Sequence, residues 1–383
     1  MDQNTGRTTG SARERSHGGV TMGVEEEFLL ADRTSRRTVP RAPAVLKRAR
    51  PDGPGHVHAE LLTSQVEAST GVCEDLAELR EHLVSGRERL AEAAREEDAL
   101  LLAAGMPPLA GQDVRTTPGP RFEAIAERYR AVVEDYESCG CHVHVGVPDR
   151  DTAIAVANHL RPWLPTLLAL SVNSPFDGDR DSGYGSWRTM RQTAFPGSGL
   201  PPRFRSAAEH DREVSRLVEC GVLVDERMTF WMVRPSPTYP TVEVRAPDTA
   251  LTVDGAVLQA ALTRALVRTA LADLERGVEG PEIEPQAAAA AVWSAARHGV
   301  DGPGVDLRTG RAAPAEDLVA GLVGHVATAL EDTGDAVLVR RLLKELLSTG
   351  TGAEQQRSAA VRGRDAVVDF VAERTSTRSG PGA

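Results

Sequence analysis

The residues predict an α+β chain: a mostly antiparallel sheet in the first 250 residues, helices inserted between its strands, and a helical C-terminal third. Three observations carry this. The segments Gly23–Leu30, Cys141–Val147 and Thr241–Arg245 each alternate with period two, the spacing of a strand buried on one face. In each, aliphatic residues take one face and carboxylate, imidazole or guanidinium groups the other. After Asp254 the pattern is almost wholly helical, and no regular βαβ series precedes it.

Composition narrows the class. The 383 residues carry 44 basic against 55 acidic side chains, a net charge of −11, which argues against a nucleic-acid surface. Aromatics at 4% leave little for base-stacking platforms. Cys73, Cys139, Cys141 and Cys220 are too few in this length for a disulfide framework, so a reducing compartment is expected. No apolar run approaches a membrane span, and the Arg-bearing N-terminus lacks a signal-peptide core. The expectation is a soluble cytoplasmic protein with a disordered tail over 1–19, one domain over 20–374, and a second tail over 375–383.

In chain order, the first strand is expected at about 20–30, then a short helical piece and a turn over Pro51–Gly55. His56–Leu61 reads as a second strand carrying Glu60. Glu67 lies seven residues on, so an unbroken strand would send the two to opposite faces. Either a bulge intervenes or the strand ends near Thr63. Leucines at helical spacing predict one or two helices from Cys73 to about Ala104. Gly105–Pro120 is a loop, Arg121–Glu137 helical, and Asp151–Leu170 a helix capped by Asp149 or Asp151 and interrupted at Pro162 and Pro165. Asn173–Pro202 reads as a long irregular loop, of the kind that is usually functional. A helix at 205–219 and strands at 222–224 and 229–234 follow. Helices are then expected at about 255–278, 284–297, 314–331, 336–348 and 354–373.

The chemistry sits on the polar faces. Glu25 and Glu27 project together, and two carboxylates are costly to bury without a cation. With Glu60, Glu67, His142 and Glu243 they form a set too rich in oxygen for structural zinc, and suited to Mg²⁺ or Mn²⁺ beside phosphates. Arg245, two residues beyond Glu243, supplies a fixed cation, and Arg188, Arg191 and Arg234 are further candidates for gripping phosphate or carboxylate. Asn173 either lines the site or caps a turn. Glu26 reads as structural or surface-exposed. Cys139, Cys141, His142 and His144 look superficially like a soft-metal site, but Cys141 should point away from His142 in a strand. No glycine-rich phosphate loop occurs.

The motifs Gly23–Leu30, Glu60–Glu67, His142–Val147, Ser171–Phe176, Gly183–Arg188 and Thr241–Arg245, in this order, resemble the carboxylate–amine ligases of the glutamate–cysteine ligase type 2 group, the YbdK-like proteins. The resemblance runs from about residue 20 to 370. It implies a glutamine-synthetase-like fold with a curved catalytic sheet, and ATP·Mg²⁺-dependent ligation through a phosphorylated glutamate γ-carboxylate. By position, Glu25, Glu27, Glu60, Glu67, His142 and Glu243 resemble the metal ligands. Arg245 resembles the phosphate contact. With it, Glu243 and Arg188 are the expected catalytic groups, and Arg234 and Asn173 the expected further nucleotide contacts. The partners expected are glutamate, an amino-acid amine and ATP, with no nucleic acid or membrane, in a homo-oligomer, a dimer.

One departure stands out. Where that group commonly has a Trp-x-Arg-Trp-Pro-like run, this chain has Gln192-Thr-Ala-Phe-Pro196, which is expected to loosen the substrate loop and favour an amine other than cysteine. Two rival functions are weighed. A metal-dependent hydrolase using His142 and His144 has no need of Arg245 at its position. A catalytically silent relative would be expected to lose a carboxylate, and none is missing.

Overall fold

Strand β1 (Met22–Asp32) is the hub, pairing with three other strands in the computed structural model, which describes residues 20–49 and 53–376. The expected 1–19 tail, nearly all of the 375–383 tail and part of the Pro51–Gly55 turn lie outside the described residues.

Helix α1 (Ala42–Arg48) follows β1 and leads to β2 (His56–Ala59). The question of Glu60 and Glu67 resolves as a reversal. The β2 strand ends before Glu60, and a new strand, β3 (Gln65–Ser69), returns antiparallel between β2 and β1. In helix α2 (Leu76–Glu96), Asp75 accepts from the Ala77 and Glu78 amides, and Leu76, Leu79, Leu83 and Leu90 are buried. The helix stops short of the expected Ala104. Asp98 takes a positive φ of 51°, and β4 (Ala99–Leu102) turns back to pair with β1. A short apolar run such as Ala99–Leu102 has no periodicity to separate buried strand from helix, and only β1's open edge decides it.

Helix α3 (Pro120–Tyr129) is shorter than expected and ends in a 3₁₀ turn, ahead of β5 (Cys141–Gly146). Asp149 caps α4 (Arg150–Leu160), and the prolines break it from α5 (Leu164–Ser171) as expected. The 173–202 stretch is not all loop. It holds a small hairpin, β6 (Phe176–Asp177) with β7 (Arg180–Asp181), then α6 (Trp187–Gln192) and β8 (Ser198–Gly199). After α7 (Ala207–Glu219), Gly221 adopts φ 75° and the chain folds back, so the strand expected at 222–224 is absent. β9 (Phe230–Trp231), β10 (Val233–Pro235) and β11 (Thr241–Val244) follow.

The C-terminal third is helical except for an unexpected hairpin. Its elements are α8 (Val253–Glu275), α9 (Pro285–His298), β12 (Pro303–Asp306), β13 (Arg311–Pro314), α10 (Ala315–His325), α11 (Ala327–Asp332), α12 (Ala336–Thr349), α13 (Gly352–Ala360) and α14 (Arg364–Thr375).

The main sheet has seven strands in the order β10-β11-β5-β1-β3-β2, with β4 continuing beside β1, and every pairing in it is antiparallel. Val24, Val143, Val145, Val242 and Val244 point to one side and share a core with α2, α4, α5 and α8. The opposite side is left to the charged residues.

Candidate active site

In an antiparallel sheet, residues directly opposite one another share a face. The register stacks three such rows on the uncovered side. Arg234, Glu243 and His144 lie across β10, β11 and β5. His142 faces Glu25 across β5 and β1. Glu27 faces Glu67, which faces His58. The rows floor a cleft of about 510 Å³, whose rim carries Arg121, Arg227 and the Pro237–Tyr239 turn.

Two three-ligand sets result. Oxygens of Glu27, Glu60 and Glu67 lie within 4.8 Å of one another, as do ligand atoms of Glu25, His144 and Glu243. His142 stands between them, Nδ1 3.3 Å from Glu25 Oε2 and Nε2 3.7 Å from Glu27 Oε1. The electrostatics suit cations. Burial, then the Glu60 charge, pushes the Glu27 carboxyl up to about 8, and the same two causes raise Glu67 well above the carboxylate range. A divalent ion would offset that repulsion. Burial also opposes the charge on Glu25, but hydrogen bonds from His142 and His144 outweigh it and hold the carboxyl low. Burial, then Arg245, lowers His142 to about 4, so it is neutral and free to ligate. Nε2 of His142 is buried without a hydrogen bond, and Nε2 of His144 lies 3.4 Å from Glu25 Oε1. The donor set therefore fits hard divalent ions, five carboxylates supplying most of the oxygen.

The arginines divide by how far they are already used. Arg234 grips Glu243 with two bonds of 2.8 and 3.2 Å and gives Nη1 to the Arg227 and Thr229 carbonyls, so it is a support for the ligand. Arg245 bonds Glu243 through the same Nη1 that lies 3.3 Å from His142 Nδ1, and the rest of its guanidinium stays open to the cleft. Arg188, 1% exposed, sits over the β5 entry, where a Cβ on Gly140 would collide with its guanidinium. Its Nε has no partner, and its nearest carboxylate, Asp248, is 3.6 Å away.

Comparison with known proteins identifies the family. The family model for glutamate–cysteine ligase family 2 matches residues 21–373. A protein of Saccharopolyspora erythraea provisionally named glutamate–cysteine ligase 2-2 is 56% identical over 351 residues, 90% of each chain. The chain belongs to glutamate–cysteine ligase family 2. A provisionally named family relative from Salinispora arenicola is 46% identical over 362 residues, 93% of this chain and 95% of its own. Among solved structures, a glutamate–cysteine ligase from Francisella tularensis in complex with AMP superposes with a TM-score of 0.68 at 12% identity, covering 94% of this chain and 89% of that one. The chain shares the fold of that ligase, and it is an enzyme of a ligase family.

Within that family framework, the cleft gathers Glu25, Glu27, Glu60, Glu67, His142, Arg188, Arg234 and Arg245 on its lining, with Glu243 beneath. Asn173 is not brought there. Its amide donates to Ala103 and Thr249 and accepts from Gln356, so its expected nucleotide contact gives way to holding loops together. His144 figured only in the hydrolase alternative and in the disfavoured soft-metal reading, and it joins a ligand set with Glu25 and Glu243. Its place on the face of His142 was the available signal. Arg227, whose side chain makes no hydrogen bond among the described residues, was missed for want of any motif, and Gln65, whose Oε1 is buried and unpartnered, was given no role although it stands within the Glu60–Glu67 motif. Glu26 is not exposed: it pairs with Arg87 on the covered side at 2.6 and 3.0 Å. The Gln192–Pro196 expectation also changes. Thr193 and Ala194 face solvent, while Phe195 lines the cleft, stacked 4.4 Å from Phe230 and edge-on to Tyr136. The aromatic bulk is present, and the two small residues open no room.

Proposed function

We propose that this chain is an ATP-dependent carboxylate–amine ligase that joins the γ-carboxylate of glutamate to the amine of an amino acid through an acyl phosphate. The observation that carries this is the pair of ligand sets, Glu27/Glu60/Glu67 and Glu25/His144/Glu243, in one cleft with Arg245 and Arg188. These sets would hold Mg²⁺ or Mn²⁺, which would supply positive charge to neutralise the nucleotide phosphates.

In the first step a γ-carboxylate oxygen attacks the terminal phosphorus of ATP, and ADP leaves with the bonding pair. Arg245 holds oxygens of the transferring phosphoryl group. Arg188, with Nε unpartnered, holds a substrate oxygen at the cleft floor. In the second step the amine lone pair attacks the acyl carbon, phosphate departs and the amine loses a proton. Held by Glu243 and by the Arg245 and Ala246 carbonyls respectively, Arg245 and Arg188 act by being in place before charge develops. No feature of the Thr193–Ala194 segment now argues against cysteine, and it is the first acceptor to try. The working unit is a dimer in the cytoplasm. Light scattering checks the assembly, and a monomer mass would remove it.

The test is nucleotide release with Mg²⁺, glutamate and a panel of amino acids. Amine-dependent ADP and phosphate are expected, with a γ-glutamyl product by mass. AMP and pyrophosphate would overturn the acyl-phosphate route, and hydrolysis without nucleotide would favour the hydrolase.

A further inference from the structure

A third group of metal-competent side chains lies outside the cleft and differs from it in kind. Cys73 Sγ, a Glu78 carboxylate oxygen and a His82 ring nitrogen lie within 4.8 Å of one another. Glu78 and His82 are four residues apart on α2 and so share one face of the helix. Cys73 comes from the turn before the helix, where it exchanges backbone hydrogen bonds of 2.9 and 2.8 Å with Met22 at the start of β1.

The local geometry brings the three atoms together. Sγ of Cys73 is 3.3 Å from His82 Nδ1. A tetrahedral zinc with ordinary Zn–S and Zn–N bonds would hold these atoms about 3.5 Å apart. Gly71 makes room for the ring, since a Cβ there would lie 3.3 Å from His82 Cε1. Glu78 accepts from the Glu74 amide with Oε2 only, which leaves Oε1 for a ligand. Thiol, imidazole and one carboxylate form the borderline-soft set that zinc prefers, whereas the oxygen-rich cleft sets suit magnesium.

We propose that Cys73, Glu78 and His82 form a second metal centre that binds one zinc ion, with solvent completing the tetrahedron. On binding, the Cys73 thiol gives its proton to solvent and its sulfur forms the Zn–S bond, so affinity rises with pH. The ion would pin the 70–75 turn to α2 and, through the Met22 pairing, brace the entry of β1 three residues before Glu25.

Cobalt tests this on the full chain after chelator treatment, with excess Mg²⁺ to occupy the cleft. One equivalent of Co²⁺ should produce the near-ultraviolet thiolate-to-cobalt charge-transfer band, and one equivalent of Zn²⁺ should abolish it. Cys73→Ser should remove the band, and His82→Gln should weaken Co²⁺ binding by at least about tenfold. Should Cys73→Ser not fold, His82→Gln and Glu78→Gln on half-buried positions carry the test. No thiolate band in the folded wild type would show that the 3.3 Å contact is only an S–H···N hydrogen bond. A band that persists in Cys73→Ser, or unchanged affinity in the other two variants, would overturn the assignment equally.

Discussion

Glu27 and Glu243 were alike as letters in a strand, yet their surroundings make opposite demands. Glu27 sits among carboxylates and is pushed up to about 8, and its Oε2 accepts from the Gly140 amide at 2.5 Å. The amide oxygen introduced by Glu27→Gln can keep that bond. This variant should therefore leave the melting temperature nearly unchanged while Mg²⁺-dependent turnover falls by orders of magnitude. Glu243 is held low because Arg234, then Arg245, outweigh the burial that would raise it. Glu243→Gln leaves two buried arginines uncompensated and should cost about 3–5 kcal/mol of stability as well as activity. Denaturant melts of both variants beside ADP release check this, and equal stability losses would contradict it. Glu137 gives a pH dependence away from the metal ligands. It accepts from Ser64 at 2.6 Å and Thr38 at 2.9 Å, and burial lifts its carboxyl from 4.5 to about 7. A raised folded value means stability is full below pH 4.5 and is lost as pH rises through 7, by about 3 kcal/mol. Glu137→Gln should flatten that slope in melts run from about pH 4.5 to 7.5.

Among the elements, β1 is tied on both sides. Its cleft face carries Glu25 and Glu27, and its covered face carries Glu26, paired with Arg87 of α2, which also reaches the Ala250 carbonyl at 2.7 Å. The pair is nearly solvent-free, with side chains 1% and 2% exposed. Removing one partner strands the other charge, so Arg87→Ala should destabilise by about 3–5 kcal/mol. Turnover per folded molecule should persist, because Glu26 faces away from the cleft. A large fall in turnover without a shift in denaturant midpoint would mean that Glu26 acts on the site instead. The element scale is also where the sequence was least legible. β3, β4 and the β12–β13 hairpin were missed, and a strand was expected at 222–224. Each is a short segment whose state depends on which partner edge is open.

For the whole molecule, one hydrophobic core runs from Met22 in β1 to Ala353 in α13, so the sheet and the C-terminal helices share their buried surface. We therefore expect residues 20–374 to unfold as one unit. Calorimetry and circular dichroism should give a single, coincident transition, and two resolved transitions would divide the domain. No helix among the described residues is long and apolar enough to cross a membrane.

The sequence by itself determined the α+β layout, the family resemblance and most of the charged groups in the cleft, though not Arg121 or Arg227. Period-two alternation is local, and unpaired carboxylates inside apolar strands are conspicuous wherever the strands end up. Only the tertiary structure decided which carboxylates share a set, that His144 and not His142 completes the second, and that Arg234 is spent on Glu243. It also decided that Asn173 holds loops together and that Thr193 and Ala194 face water. The first three depend on register between strands far apart in the chain, where a shift of one residue sends every side chain to the other face, and the last two on how a loop and a helix end pack against distant segments. No local spacing encodes that.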